Sequence, residues 1–227
     1  DYFSKKGFNN IFVSGDTRVD RSLALPSEVS SRMPKEIMNV APFDLIAGST
    51  WPRDEELLIY AIKKLNLKAI IAPHDVSLAN IQRLTKELPF PFQLYSQLGK
   101  STIDFDVLVI DTIGLLSVMY SAGSISYVGG GFGKGIHNIL EPTAHAKPVI
   151  FGPRYQKFHE AEAMIRRHCA WSVNHKNELL IILKKLLSNN EATASGKIAY
   201  QYLKEKAGAS DTVTNYILES IPYSSKV

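Results

Sequence analysis

The 227-residue chain contains one cysteine, Cys169. A lone thiol makes neither an intrachain disulfide nor a CxxC metal site, and it suits a reducing compartment best. Long apolar runs are missing as well. Asp111 interrupts the longest candidate, well short of the roughly 18 residues that a spanning helix needs, and the N-terminus lacks a signal peptide's apolar core. The chain is therefore expected to be soluble as given. No charge of one sign dominates: 26 basic residues against 22 acidic ones leave +4, interleaved along the sequence. Polyanion binders concentrate basic residues in a stripe, so no nucleic-acid partner is expected. Repeats, low-complexity tracts and Pro/Gly/Ser linkers are also absent. The chain begins at Asp1 rather than Met, which leads us to expect a piece of something longer. What is there, 45% hydrophobic and 21% charged residues, is the composition of an ordinary globular protein. With no linker to divide it, we expect one domain over residues 1–227.

Short apolar runs alternate with amphipathic stretches. Strands are expected near 11–15, 43–48, 69–73, 92–96, 106–110, 125–129, 148–152 and 169–173, several of them continuously apolar, as where helices cover both faces of a parallel sheet. Between them, Leu57, Leu58, Ala61, Ile62 and Leu65 form one helical face, opposite Arg53, Glu55, Glu56, Lys63 and Lys64, with Pro52 in the first turn. Leu78, Ile81, Leu84 and Leu88 make a second buried stripe after Asp75, Leu179, Leu183, Leu186 and Leu187 a third, and Val213, Ile217 and Ile221 a tail helix after Asp211. The implied fold class is α/β, a Rossmann-like, doubly wound, mostly parallel sheet, with its ligand at the carboxyl ends of the strands.

Five of the 14 glycines fall within seven positions, at 129, 130, 131, 133 and 135, after the run SISYV and before a helix starting near Asn138. That is a context in which backbone amides bind phosphate. It is not GxGxxG, because the required third glycine falls on Lys134, Ile136 or Asn138. Nor is it a Walker A loop, because Val128 and Gly135 stand where glycine and Ser or Thr are required. Pro142 is tolerated only in a first turn, which puts Glu141 beside the helix start. There Glu141 can accept two hydrogen bonds from a vicinal diol such as a ribose, or it can cap its own helix.

The string YVGGGFGKGIHNILEPTAHAKPVIFGP, with His137, Asn138 and Glu141 after the glycines, resembles the C-terminal half of the 3-deoxy-D-manno-octulosonic acid (Kdo) transferases, which are GT-B glycosyltransferases. Gly15–Asp16–Thr17–Arg18 with Asp20, Ala47–Gly48–Ser49–Thr50, and Asp111–Thr112–Ile113–Gly114 with Tyr120 extend the likeness over most of the chain. The resemblance implies a donor-binding half that takes CMP-Kdo for inverting transfer to the lipid A precursor (lipid IVA) in lipopolysaccharide synthesis. It implies no cofactor, no metal and no catalytic residue in this chain. The catalytic base, the acceptor site and any membrane contact at the cytoplasmic face of the inner membrane would lie in an absent N-terminal half, and the domain alone would be inactive.

The donor-binding residues so implied are Ser49, His74, Ile113, Gly114, Gly130, Gly131, Gly133, Gly135, His137, Asn138 and Glu141, with Arg18 as a first-loop contact. Ser49 and Thr50 can alternatively serve as N-caps, and Asp75 is read as the cap of its helix. Two positions depart from the family. Pro73–His74–Asp75 stands where Arg-His-Pro is common, and His carries less charge than Arg at neutral pH. Leu115 stands where Glu commonly follows Gly114. His145, His159, His168 and His175 read as structural or solvated, Lys134 as a solvent-facing loop charge and Cys169 as core. Two other readings stay open: a GT-B transferase or epimerase using a UDP-sugar, and a non-catalytic binding or interaction domain.

Overall fold

In the computed structural model, which describes residues 2–99 and 104–220, seven strands pair in parallel: β1 (Phe43–Thr50), β2 (Ala69–Pro73), β3 (Phe92–Leu94), β4 (Val107–Val109), β5 (Gly123–Val128), β6 (Val149–Phe151) and β7 (Ala170–Ser172). Their order is β3-β4-β2-β1-β5-β6-β7. Helices α1 (Thr17–Arg32) and α2 (Lys35–Val40) precede the sheet. The crossovers and tail carry α3 (Pro52–Leu65), α4 (Leu78–Glu87), α5 (Leu116–Met119), α6 (Leu140–Ala144), α7 (His159–Arg166), α8 (Lys176–Leu186), α9 (Glu191–Glu205) and α10 (Ala209–Ser220).

Both sheet faces are covered, which is why β2 and β4 are buried at every position. On one face Leu45, Ile71 and Val107 pack against Leu57, Leu58, Leu84, Leu179 and Leu183 of α3, α4 and α8. On the other, Ile46, Ile70 and Leu108 meet Ile37, Met119, Met164, Ala199 and Tyr202. From β1 the chain winds outward through β2, then returns to lay β5 against the other side of β1. This reversal opens a crevice beyond the carboxyl ends of β1 and β5, the usual ligand position in such sheets. At the lip of the crevice the β1–β2 register shifts between Gly48 and Thr50. Ser49 takes φ +52° there, a bulge that turns one residue out of the ladder.

Several expectations are corrected. Residues 11–15 form no strand. They pair with nothing in the sheet, Val13 is 88% exposed, and Phe12 stacks on Tyr216 of α10 with ring centroids 5.5 Å apart. Glu55, assigned to the polar face of α3, is fully buried, where it accepts from Thr50 Oγ1 at 2.9 Å and pairs with Arg83. Leu78 and Leu187 are exposed because each sits at the very end of its helix. Ser77, not Asp75, caps α4, and Asp75 in turn accepts from the Ser77 amide. In the tail helix Ile217 is exposed, and Ile221 lies outside the described residues.

Helices α1 and α9 were not foreseen. The buried positions of α1 are Val19, Ser22 and Leu25, only two of them apolar, with Pro26 inside the helix. α9 buries Ser195, Gly196 and Ala199 ahead of Tyr202 and Leu203, and position 196 must be small because a Cβ there would lie 1.9 Å from the Ala146 carbonyl.

Asp20 of α1 accepts from the amides of Gly208 and Ser210, both at 2.7 Å, and so ties α1 to the start of α10. These bonds hold its carboxyl below the ordinary value of 3.8. A lowered carboxyl stabilises the fold above its unfolded pKa, and that contribution is lost as the pH falls through the folded value. Asp20→Ala should therefore cost about 1 kcal/mol at neutral pH. In thermal unfolding the gap from wild type should close as the pH falls through the folded Asp20 pKa, below the ordinary value of 3.8.

Candidate functional site

The glycine loop begins where β5 ends. Gly130 has φ +92°, a conformation open to glycine at no steric cost. Gly131 lies so close to Gly152 that a Cβ there would sit 2.6 Å from the Gly152 Cα. The loop is also held from below. Oδ2 of the fully buried Asp54, in the first turn of α3, accepts from the Trp51 amide at 2.9 Å and the Gly130 amide at 3.0 Å. Its Oδ1 accepts from the Tyr127 hydroxyl at 2.7 Å. Burial pushes the Asp54 carboxyl up, against the pull of these donors. One side chain thus joins β5, the start of α3 and the loop.

The loop spends most of its donors on itself and its neighbours. The amides of Gly129, Gly130, Gly133, Gly135, Ile136 and His137 already donate to Gly48, Asp54, Gly130, Gly130, Arg154 and Gly129 respectively. A cradle built from all the glycine amides, as the sequence suggests, is therefore not available to an anion. What the loop supplies is a close-fitting wall.

Above that wall three rings stack. Trp51 lies on His74 with centroids 4.8 Å apart and His74 on His137 at 4.5 Å, while Trp51 Nε1 donates to His137 Nε2 at 3.2 Å. Burial, with His74 close by, pushes the His137 imidazole below its usual pKa. A cavity of about 490 Å³ lies between these rings and Gly130, Gly133, Lys134 and Gly135. Lys134 is exposed, as expected, and also lines this cavity.

A second cavity, of about 310 Å³, adjoins the first through His137 and is lined by Ser49, Gly114, Tyr120, Asn138 and Glu141 among others. Asn138 Nδ2 donates to Glu141 Oε1 at 3.1 Å, and Asn138 Oδ1 accepts from the Leu140 amide at 3.0 Å, so one side chain both starts α6 and orients the carboxylate. Burial pushes the Glu141 carboxyl up, opposed by Asn138, Arg32 and Arg21. Arg18, Arg21 and Arg32 of α1 line a further space of about 350 Å³ against Asn138 and Glu141.

The structure therefore brings Ser49, His74, Gly114, Gly130, Gly133, Gly135, His137, Asn138 and Glu141 to two adjoining cavities. Gly131 instead packs on Gly152, and Ile113 projects into solvent at 82% exposure. Thr50 serves Glu55. Arg18 reaches the site's edge while bound to Asp16 and Glu160. His145 Nε2 lies 2.7 Å from the Ser117 carbonyl, and His175 caps α8. Buried Cys169 is pushed up to about 11, too high for a reactive thiolate. Sequence reasoning missed Trp51, Asp54, Arg21 and Arg32. Only Asp54 carried a signal, an acidic residue three places after the residue that precedes the helix. Among the described residues no group of three His, Cys, Asp or Glu is placed to hold a metal.

No family model matches the chain. In sequence it is similar to the 3-deoxy-D-manno-octulosonic acid transferase of Aquifex aeolicus, 31% identical over 152 residues that cover 63% of this chain and 42% of that protein. The enzyme of the same name from Rickettsia bellii is 26% identical over 198 residues, 84% of this chain and 47% of the other. The chain thus spans less than half the length of these relatives. In structure it is similar to the C-terminal CMP-Kdo binding domain of WaaA from Acinetobacter baumannii, with a TM-score of 0.66 and 22% identity over 80% of this chain and 98% of that one. It is also similar to Anabaena HepE in complex with UDP-glucose, with a TM-score of 0.57 and 15% identity over 88% of this chain and 55% of the other. The fold is that of a GT-B glycosyltransferase domain.

Removing the Asp54 carboxylate strands three donors at once. Asp54→Ala should lower stability in urea unfolding by about 3 kcal/mol, with Tyr127→Phe costing roughly a third of that. Equal stability of Asp54→Ala and wild type would show that the carboxylate does not brace the loop.

Proposed function

We propose that this chain, a homologue of the Kdo transferases, is the donor-binding half of such an enzyme and takes CMP-Kdo. The observation that carries this reading is the placement of Glu141, Asn138, Ser49 and Gly114 around one cavity at the reversal between β1 and β5. The likeness to a CMP-Kdo binding domain over nearly its whole length supports it.

In this reading Glu141 accepts both hydroxyls of the ribose, and the backbone of Gly114 offers its polar groups to the cytosine. The donor's phosphate and sugar carboxylate face the 490 Å³ cavity. Positive charge there comes from side chains, since the loop amides are largely taken and five-residue α6 has a weak dipole. Lys134 supplies it from the loop, while Arg18, Arg21 and Arg32 of α1 stand in the neighbouring space beside Glu141, paired with Asp16, Glu28 and Glu160. His137, held toward its neutral form and accepting at Nε2, keeps its proton on Nδ1 and can donate that hydrogen bond to an anion. These donors would oppose the charge that develops on the departing CMP phosphate.

The base that deprotonates the acceptor hydroxyl, the lipid A precursor that carries it, and contact with the inner membrane are assigned to the remainder of the full-length protein. Among the described residues no helix is long and apolar enough to cross a membrane. The chain alone is expected to bind the donor without transferring sugar.

Thermal unfolding with CMP, UDP and GMP, each with and without Mg²⁺, tests the reading. CMP at about 100 times its dissociation constant should add roughly 2.7 kcal/mol, independently of Mg²⁺, and Glu141→Ala should abolish the shift. A shift with UDP and none with CMP would favour a UDP-sugar enzyme, and no shift with any nucleotide a non-catalytic domain. Protonation would take from Glu141 an acceptor that the ribose needs. CMP affinity should therefore weaken as the pH falls through the Glu141 pKa, which lies above the ordinary value of 4.5, and Glu141→Gln should flatten that decline.

A further inference from the structure

Tyr120 and Tyr127 both lie within the core, at 1% and 0% exposure, yet their hydroxyls are placed differently. Tyr127 donates to Asp54 at 2.7 Å. Tyr120, in the turn that follows α5, shares its core cluster with Ile46, Met119 and Val128, and its hydroxyl has no hydrogen-bond partner among the described residues. A hydroxyl taken out of water without a partner is unfavourable and calls for an explanation.

The packing fixes where this hydroxyl points. Residue 48, near the carboxyl end of β1, is glycine, and any Cβ there would collide with the Tyr120 hydroxyl. The hydroxyl thus lies over the β1 backbone beside Ser49, on the wall of the 310 Å³ cavity that holds Glu141. Among the described residues no sealed side-chain polar atom lacks a partner, so this one is open to the cavity and to what fills it. Burial and the neighbouring Glu141 carboxylate hold the Tyr120 hydroxyl far above the ordinary tyrosine value, which keeps it a donor at every working pH. Ser49 and Ser117 line the same cavity but are half-buried, and water can serve them.

A ribose has the complementary valence. Each hydroxyl gives one proton and accepts at two lone pairs. A ribose hydroxyl that donates to Glu141 still presents an accepting oxygen in the same cavity. Glu141 takes the proton and Tyr120 can supply the second bond, so the pair satisfies a hydroxyl that neither residue satisfies alone.

We propose that the Tyr120 hydroxyl donates to one of the two ribose hydroxyl oxygens held by Glu141, and so makes the site select a ribonucleotide over the deoxynucleotide that lacks that hydroxyl. The inference rests on the ribose assignment of Glu141 made above. A site built to hydrogen-bond a substrate hydroxyl rejects the analogue without it, because the buried donor is then left unpaired.

The test measures binding of CMP, 2′-deoxy-CMP and 3′-deoxy-CMP by calorimetry, to the wild-type chain and to Tyr120→Phe. The variant should bind CMP about fivefold more weakly. It should lose the same factor on one deoxy analogue and none on the other, the one that lacks the contacted hydroxyl. Without nucleotide it should unfold at the wild-type urea midpoint, since no protein group loses a partner. Equal weakening of all three ligands would assign the hydroxyl to the fold or to Glu141, with a lowered urea midpoint marking the fold, and would overturn the proposal. Unchanged CMP binding would overturn it too, and both results leave the donor reading standing. Binding of UDP in place of CMP overturns the CMP-Kdo reading instead, and UDP with its 2′-deoxy and 3′-deoxy analogues then decides the ribose contact by the same comparison. A wild-type chain that binds no nucleotide overturns both.

Discussion

Everything at the crevice depends on a buried carboxylate that never reaches it. Asp54 accepts three hydrogen bonds, from the backbone before α3, from the start of the glycine loop and from a buried tyrosine. A carboxylate in that position is costly to desolvate, and its protein donors are what make it tolerable. The consequence is a shared reference point for β5, α3 and the glycine loop. Trp51 and Gly130 are joined through one oxygen atom, and the ring stack and the cavity below it inherit that spacing.

This arrangement changes how an anion can be met. Glycine-rich loops at strand ends commonly present amides to phosphate, but here the amides mainly close the loop upon itself. The charges lie instead on long side chains around the rim, Lys134 on the loop and three arginines on α1. α1 is therefore more than a cover for the sheet. Its inner turns bury Val19 and Leu25 while its arginines approach Glu141.

The parallel sheet and the Glu141 cavity were legible because their signals are local. β1, β2, β4, β5 and β6 are short apolar runs ended by turn residues, and Asn138, Glu141 and Pro142 sit within one turn of chain. Misreadings came where distant partners decide. Residues 11–13 are as apolar as a strand, yet α10 offers them Tyr216 and no edge to pair with. Glu55 looks like any surface glutamate until Thr50 and Arg83 close over it. α9 hides because the first half of its buried face, Ser195, Gly196 and Ala199, is small where it meets the Ala146 carbonyl, and only Tyr202 and Leu203 are large. The stack of Trp51, His74 and His137 joins three separate loops, and no spacing along the chain announces it.

The contact between Gly131 and Gly152 leaves no room for a methyl group from either partner. That wall offers nothing to remodel one residue at a time, since any side chain would have to push two strand ends apart. Divergence in what such a site accepts must then be written elsewhere, in the stems and charges of Lys134, His74 and the α1 arginines, which have space to lengthen, shorten or change sign. A Gly131–Gly152 contact without side chains acts as a template that stays put while the residues around it set the preference.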